Sequence, residues 1–370
     1  MGKCLVCGLA TATVSEGLHA CLNCIRGEPE KALEITRQVH ADTRAVYGLP
    51  SEPPRDADGV ACGVCANNCV IGAGNAGFCG LVQNVDGRLV RFGGTTEQGV
   101  LDWYYDMIPT NCVSWWFCPG CTGSGYPKYA YTPKAERGYS NLAVFYGACS
   151  YDCLFCQNWH YRKLSAKRKP AVSAEALAAK ADKHVSCICY FGGDPSPQML
   201  HSLEVSRIAL AKAKAENRIF RVCWETNGQM NPKLAEKAAE YALESGGNIK
   251  FDLKAWNEAL NIALCGVSNK PALANFKLIG EKFYKKRREL PMLTASTLLV
   301  PGYVDAQEVE NIACFISAID PEIPYTLLAF YPCYIMNDLP TTSRKQAYEC
   351  QKAAGKHLAN VRIGNTHLLS

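Results

Sequence analysis

No apolar run in the chain approaches the roughly 20 residues a membrane-spanning helix needs, so no membrane partner is expected. The opening residues, MGKCLVCG, lack a basic segment leading into an apolar one, so no secretory signal is read there and the expected location is the cytoplasm. There is no internal repeat and no low-complexity tract. Charge of one sign is also scarce. A formal charge of +5 over 370 residues permits an anionic cofactor but does not argue for a nucleic-acid partner. The densest basic run, Lys285-Lys286-Arg287-Arg288, reads as a solvated helix end. With 48% hydrophobic and 20% charged residues the composition is that of an ordinary globular protein. The length allows one large domain with an appended module, or two domains.

What the chain has in excess is cysteine, 21 in all. In a reducing cytosol these are not expected to be disulfides. Thiolates kept in such number are soft ligands suited to zinc or iron–sulfur centres. Fourteen fall between Cys4 and Cys156, mostly in tight pairs or triplets. The last seven (Cys187, Cys189, Cys223, Cys265, Cys314, Cys333 and Cys350) are scattered and read mostly as small buried hydrophobes.

From about residue 140 the pattern alternates strand and helix. "LAVFYGAC", "VSCICYFGGD", "IFRVCWETNG", "NIKFDLKAW", "LTASTLLVPG", "YTLLAFYP" and "VRIGNTHLL" are apolar strands separated by helical sequence, one helix capped by Ser173 with Glu175 in its first turn. Repeated β–α units with near-continuous apolar strands predict a parallel sheet, open or curled into a barrel. Its site would lie at the strands' C-terminal ends, where "GACS", "FGGDP", "ETNG", "DLK" and "PGY" all fall. Four parts are expected: 1–47, a four-cysteine module plus a helix; 48–139, a second cysteine-rich and aromatic segment; 140–335, the α/β domain; and 336–370, a C-terminal helix and strand completing it.

"GACSYDCLFCQNW" spaces Cys149, Cys153 and Cys156 as C-x3-C-x2-C in a loop directly after a strand. Three thiolates can hold three irons of a 4Fe–4S cubane and leave the fourth open for substrate chemistry. The alternative is a zinc loop borrowing a remote ligand. This spacing, with the strand-end runs that follow, resembles the radical S-adenosylmethionine superfamily over residues 140 to about 335. The resemblance implies an α/β fold of the partial (β/α)6 barrel type. It also implies that the open iron chelates S-adenosylmethionine, whose one-electron cleavage yields a 5′-deoxyadenosyl radical. Phe155 matches the aromatic beside the adenine. Gly192, Gly193 and Asp194 in "GGDP" match the turn that binds the methionine amino group. Glu225 and Asn227 in "ETNG" match the segment at ribose and carboxylate. Asp252 and Lys254 resemble the D-x-K element of glycyl-radical-enzyme activases, facing substrate and cofactor, against the plainer reading of a salt-bridged strand end.

Two further cysteine sets precede the triplet. Cys4, Cys7, Cys21 and Cys24 form two C-x2-C pairs, the ligand set of a four-sulfur zinc or iron site. Cys62, Cys65, Cys69 and Cys79 are a second candidate zinc or iron site, and resemble the N-terminal cysteine segment of relatives of pyruvate formate-lyase activating enzymes. Cys112, Cys118 and Cys121 lie among Trp103, Tyr104, Tyr105, Trp115 and Trp116, read either as an aromatic plug over the barrel mouth or as a substrate or cofactor surface with a redox ligand.

Taken whole, "WYYDMIPTNC", "FCQNW", "GGDPSP", "ETNG" and "NVRIGNTHLL" are similar to the methanogen enzymes that C-methylate a glutamine of methyl-coenzyme M reductase. That resemblance implies a cobalamin-dependent methyltransferase acting at Cα of a glutamine in the reductase alpha chain, supplied by an electron donor. The chain departs from the common cobalamin pattern in having no D-x-H-x-x-G. The alternative is a glycyl-radical-enzyme activase of the pyruvate formate-lyase activating type. A third class, a non-enzymatic metal scaffold, has no use for "GGDP" and "ETNG".

Overall fold

A computed structural model of the chain describes residues 1–370. Its centre is one nine-stranded sheet, running across in the order Val361–Gly364, Tyr325–Ala329, Leu293–Leu299, Ile249–Asp252, Arg221–Thr226, Val185–Gly192, Ser140–Tyr146, Gln98–Met107 and Ala171–Ser173. The first seven are mutually parallel. Gln98–Met107 runs antiparallel to both Ser140–Tyr146 and Ala171–Ser173. The expected α/β fold is present, and the C-terminal strand expected to complete it forms as the short Val361–Gly364, a seventh parallel strand at one edge. The other side is widened by Gln98–Met107, so the segment before residue 140 does more than pack on the sheet.

The strands keep their pattern because each crossover buries an apolar face. Ile188, Tyr190, Val222, Trp224, Ile249 and Phe251 point away from the lumen and are buried. Each such side chain contributes about 1.5–3 kcal/mol relative to exposure. The alternate positions Cys187, Cys189, Arg221, Cys223, Glu225, Lys250 and Asp252 line the lumen cavities instead. Period two thus separates packing from chemistry on each strand.

The helices start where their caps put them. The Ser173 hydroxyl accepts from the Ala176 amide at 3.1 Å and starts the short helix Ala174–Ala179. Asn231 caps Pro232–Ser245 and Asp305 caps Ala306–Ser317. The helix expected beside the four-cysteine module within 1–47 forms as Pro29–Ala45. No helix is long and apolar enough to cross a membrane.

The aromatic stretch expected at the barrel mouth divides in two. Trp103, Tyr104 and Tyr105 sit on the added strand, while residues 110–122 close the opposite, N-terminal end of the strands. There Ser114 Oγ bonds Asn248 Oδ1 at 3.2 Å, Trp116 Nε1 donates to Thr326 Oγ1 at 3.4 Å, and the Arg362 guanidinium lies over both Trp115 and Trp116. Asn248, Thr326 and Arg362 all lie at the beginnings of their strands, so this plug seals the floor rather than the mouth.

Candidate active site

The strand Ser140–Tyr146 delivers the loop carrying the cysteine triplet. Cys149 and Cys153 are buried and Cys156 is half-buried. The loop is clamped from three sides by buried polar contacts. Asp152, fully buried between two of the cysteines, accepts from Arg162 at 2.5 Å, pairs with His40 Nδ1 at 2.8 Å and faces Arg44 at 3.5 Å. Burial alone would raise the Asp152 carboxyl, but the His40 bond and the Arg162 and Arg44 charges outweigh it and hold it below the usual carboxylate range. Asn67 Nδ2 donates to the Ser150 carbonyl at 2.8 Å from the second segment. From the C-terminal side, the Ile335 and Met336 amides donate to the Leu154 carbonyl at 3.0 and 3.1 Å.

The glycine turn is stitched onto this loop. The Gly193 amide donates to the Tyr146 carbonyl at 2.9 Å and the Asp194 amide to the Ala148 carbonyl at 2.7 Å. Gly192 has φ +109°, and an added Cβ would meet the Tyr146 nitrogen at 2.5 Å; one on Gly193 would meet the Ala148 oxygen at 2.2 Å. Only glycine lets the backbone approach so closely. Asp194 then reaches the next strand end, accepting from the Ser196 and Asn227 amides at 2.7 and 2.6 Å and from Thr226 Oγ1 at 3.3 Å. Burial is the main influence on its carboxyl and pushes its pKa up to about 6 against these donors.

Asn227 links turn and loop: its Nδ2 donates to Ser150 Oγ at 3.0 Å and lies 3.6 Å from Cys149 Sγ. Lys254 pairs with Asp252, whose other oxygen accepts from Ser296 at 3.3 Å, and its ammonium stands 5.8 Å from the Phe155 ring centroid. The result is one pocket at the strands' C-terminal ends. Cys149, Cys153 and Cys156 line it together with Phe155, Gly192, Gly193, Asp194, Glu225, Asn227, Asp252 and Lys254. Every residue expected from the sequence to bind cluster or cofactor converges there.

The donor set fits an iron–sulfur cluster. Burial raises the Cys149 thiol well above its ordinary range, and the nearby Asp194, Cys153 and Cys156 add to the rise. Such thiols ionise only against a cationic centre, which bound irons provide. Two neighbours were missed from the sequence. Cys265, read as a small buried hydrophobe, has its sulfur 3.4 Å from Cys153 Sγ. Lys250 pairs with Glu225 and has only 2% of its side chain exposed. Lys250 was legible in principle, since it shares the lumen face of its strand with Asp252.

The other cysteine sets fall differently. The sulfurs of Cys4, Cys7, Cys21 and Cys24 all lie within 4.8 Å of one another, a preformed cage for a single metal ion. Burial would raise the Cys4 thiol, but amide donors from Cys7, Cys21 and Val6 dominate and bring it to about 6. Cys62, Cys65, Cys69 and Cys79 gather near enough for their charges to oppose one another, without reaching that closeness. Their segment lies beside the pocket, the Ala66 amide donating to the Gln229 carbonyl at 2.7 Å.

A parallel α/β sheet with three thiols in the loop of its first parallel strand, beside a glycine turn at the next, has the donor set of an iron–sulfur enzyme whose cluster keeps an open metal position. Residues 143–315 match the family model of the radical SAM superfamily, and the sheet they build is the α/β fold of that superfamily. The match implies a 4Fe–4S cluster and S-adenosylmethionine. Three relatives extend the comparison. An uncharacterized protein of Methanocaldococcus jannaschii is 24% identical over 298 residues, covering 78% of this chain and 75% of that protein. A second protein of the same organism, provisionally named a glycyl-radical enzyme activating enzyme, is 27% identical over 216 residues, covering 58% of this chain and 76% of that protein. The isethionate sulfite-lyase activating enzyme of Desulfovibrio desulfuricans is 30% identical over 141 residues, 38% of this chain and 40% of that enzyme.

Proposed function

We propose that the chain takes a hydrogen atom from a residue of a protein or peptide, with its catalytic cluster on Cys149, Cys153 and Cys156. The observation that carries this reading is the single pocket lined by the triplet and all eight expected cofactor-binding residues. Bound there and reduced by an electron donor, cluster and S-adenosylmethionine supply a carbon-centred radical by cleavage of the sulfonium. The chain's own part is positioning. Gly192 and Gly193 bring bare backbone to the cofactor's amino acid end, and Asp194 braces that turn against Asn227. Glu225 and Asn227 would hold the ribose and carboxylate, and Phe155 would pack against the adenine. Asp252 and Lys254 stand over the space left for substrate.

Activation of a partner enzyme by abstraction from its glycine is the finer reading favoured by the names of two relatives and by the Asp252–Lys254 pair. The second reading, cobalamin-dependent C-methylation of a glutamine in the methyl-coenzyme M reductase alpha chain, is supported by whole-chain resemblance. The pocket does not fit a histidine-ligated corrin, since none of the seven histidines lines either lumen cavity; no step is derived through that cofactor. The first quartet is proposed to hold structural zinc or iron, and the second quartet another such metal. One incubation tests these readings: reconstituted enzyme, reductant and labelled S-adenosylmethionine, with either a glycyl-radical enzyme or the reductase peptide plus methylcobalamin. A glycyl radical with 5′-deoxyadenosine supports the first reading. Methylated peptide with S-adenosylhomocysteine supports the second. Absence of 5′-deoxyadenosine in every arm refutes both.

A further inference from the structure

Below the reaction pocket, between the strands and the floor plug, lies a second cavity of about 310 Å³. It shares Phe191 and Glu225 with the pocket above. Six cysteines line it: Cys112, Cys118 and Cys121 from the plug, and Cys187, Cys189 and Cys223 from the strands. The last three were read from the sequence as isolated small hydrophobes, and the fold assembles them. Cys187 and Cys189 alternate onto one face of Val185–Gly192, and Cys223 sits opposite Cys189 in the parallel register. A cysteine used for packing fills space. Here six thiols face a hollow instead.

The surroundings suit sulfur carrying negative charge. Lys250 Nζ donates to Cys112 Sγ at 3.1 Å and the Ser114 amide to the same sulfur at 3.4 Å. Hydrogen bonds of this kind stabilise ligated thiolate. Arg221, buried and paired with Glu136 at 2.6 Å, lines the same cavity. Unlike the first quartet, these sulfurs are not gathered within 4.8 Å of one another. They come from two walls of a cavity, a spread that suits a multi-iron cluster better than one ion.

We propose that the lower lumen is a second metal site, an iron–sulfur cluster ligated by Cys112, Cys118 and Cys121 and completed by a thiolate from the Cys187, Cys189 and Cys223 wall. The site is separate from the triplet and its occupancy does not depend on the reaction catalysed.

The test is acid-labile sulfide, which a single-ion site does not contain. The full chain carrying Cys149→Ala, Cys153→Ala and Cys156→Ala is reconstituted anaerobically with ferrous iron and sulfide. It should retain sulfide and the broad visible absorption of a cluster. Adding Cys118→Ser and Cys121→Ser should abolish both, whereas adding Cys65→Ser and Cys69→Ser should leave them. Sulfide surviving the Cys118/Cys121 changes, sulfide lost only with the Cys65/Cys69 changes, or a triple variant holding metal without sulfide would each overturn the proposal. A measurement on the unaltered chain covers the case of a variant that does not fold. Alkylation should spare Cys112, Cys118 and Cys121 in the reconstituted protein and label them once a chelator has stripped the iron. Equal labelling in the two states would refute the site.

Discussion

Asp194 gives the sharpest handle on the cofactor pocket. Its two carboxylate oxygens take three donors, the Ser196 and Asn227 amides and the Thr226 hydroxyl, in a place with 3% exposure. Asp194→Asn keeps the shape but replaces one accepting oxygen by a donating NH₂, which then faces an amide or hydroxyl it cannot bond. One lost buried bond with an unsatisfied donor costs about 1–3 kcal/mol. Carried into S-adenosylmethionine binding, that is roughly 5- to 150-fold in Kd. The wild-type protein should show the same loss through pH, because burial lifts this carboxyl to about 6. Protonation below that value removes an acceptor, so Kd should rise toward the variant's as pH falls from 7 to 5, while the variant stays flat. The stability linkage runs the other way. The native state holds this proton more tightly than the unfolded chain, so the stabilisation is complete below about pH 4 and is lost as pH rises through about 6. Anaerobic calorimetry across pH 5 to 7.5 reads binding directly. Equal Kd for variant and wild type, with neither responding to pH, would refute the bracing role of Asp194.

Cys153→Ala should abolish reductive cleavage of S-adenosylmethionine while Cys350→Ala, remote from the pocket, leaves it intact; quantifying 5′-deoxyadenosine decides, and full activity in Cys153→Ala would sink the cluster assignment. Asn227→Ala should weaken S-adenosylmethionine by about 1–3 kcal/mol through the lost Ser150 and Cys149 contacts, and an unchanged Kd argues against its place in the site. Asp152→Asn strands buried Arg162 and Arg44 without their counter-charge and should cost about 3–5 kcal/mol in a denaturant melt; a loss below 1 kcal/mol would show that the network does not hold the loop. A variant lacking the triplet should still carry about one zinc or iron on Cys4, Cys7, Cys21 and Cys24, and losing the ion on Cys21→Ser identifies that quartet as its holder.

Residues close in sequence announced themselves. The triplet and the C-x2-C pairs are legible because a short loop can bring only nearby thiols to one metal, so spacing encodes geometry. The cap Ser173 and the apolar strands were legible for the same reason: each acts within its own few residues. The glycine turn and "ETNG" were placed correctly because a parallel sheet delivers every strand's C-terminal end to one side. Other features required tertiary structure. Asp152 draws its partners from Arg162 nearby and from His40 and Arg44 more than a hundred residues away. The aromatic plug closes the floor because its contacts, Asn248, Thr326 and Arg362, belong to strand beginnings that no local pattern links to it. The six lumen thiols come from a loop and two strands. Strand register and the pleat aim them into one hollow, and those depend on pairing across the sheet rather than on spacing along the chain.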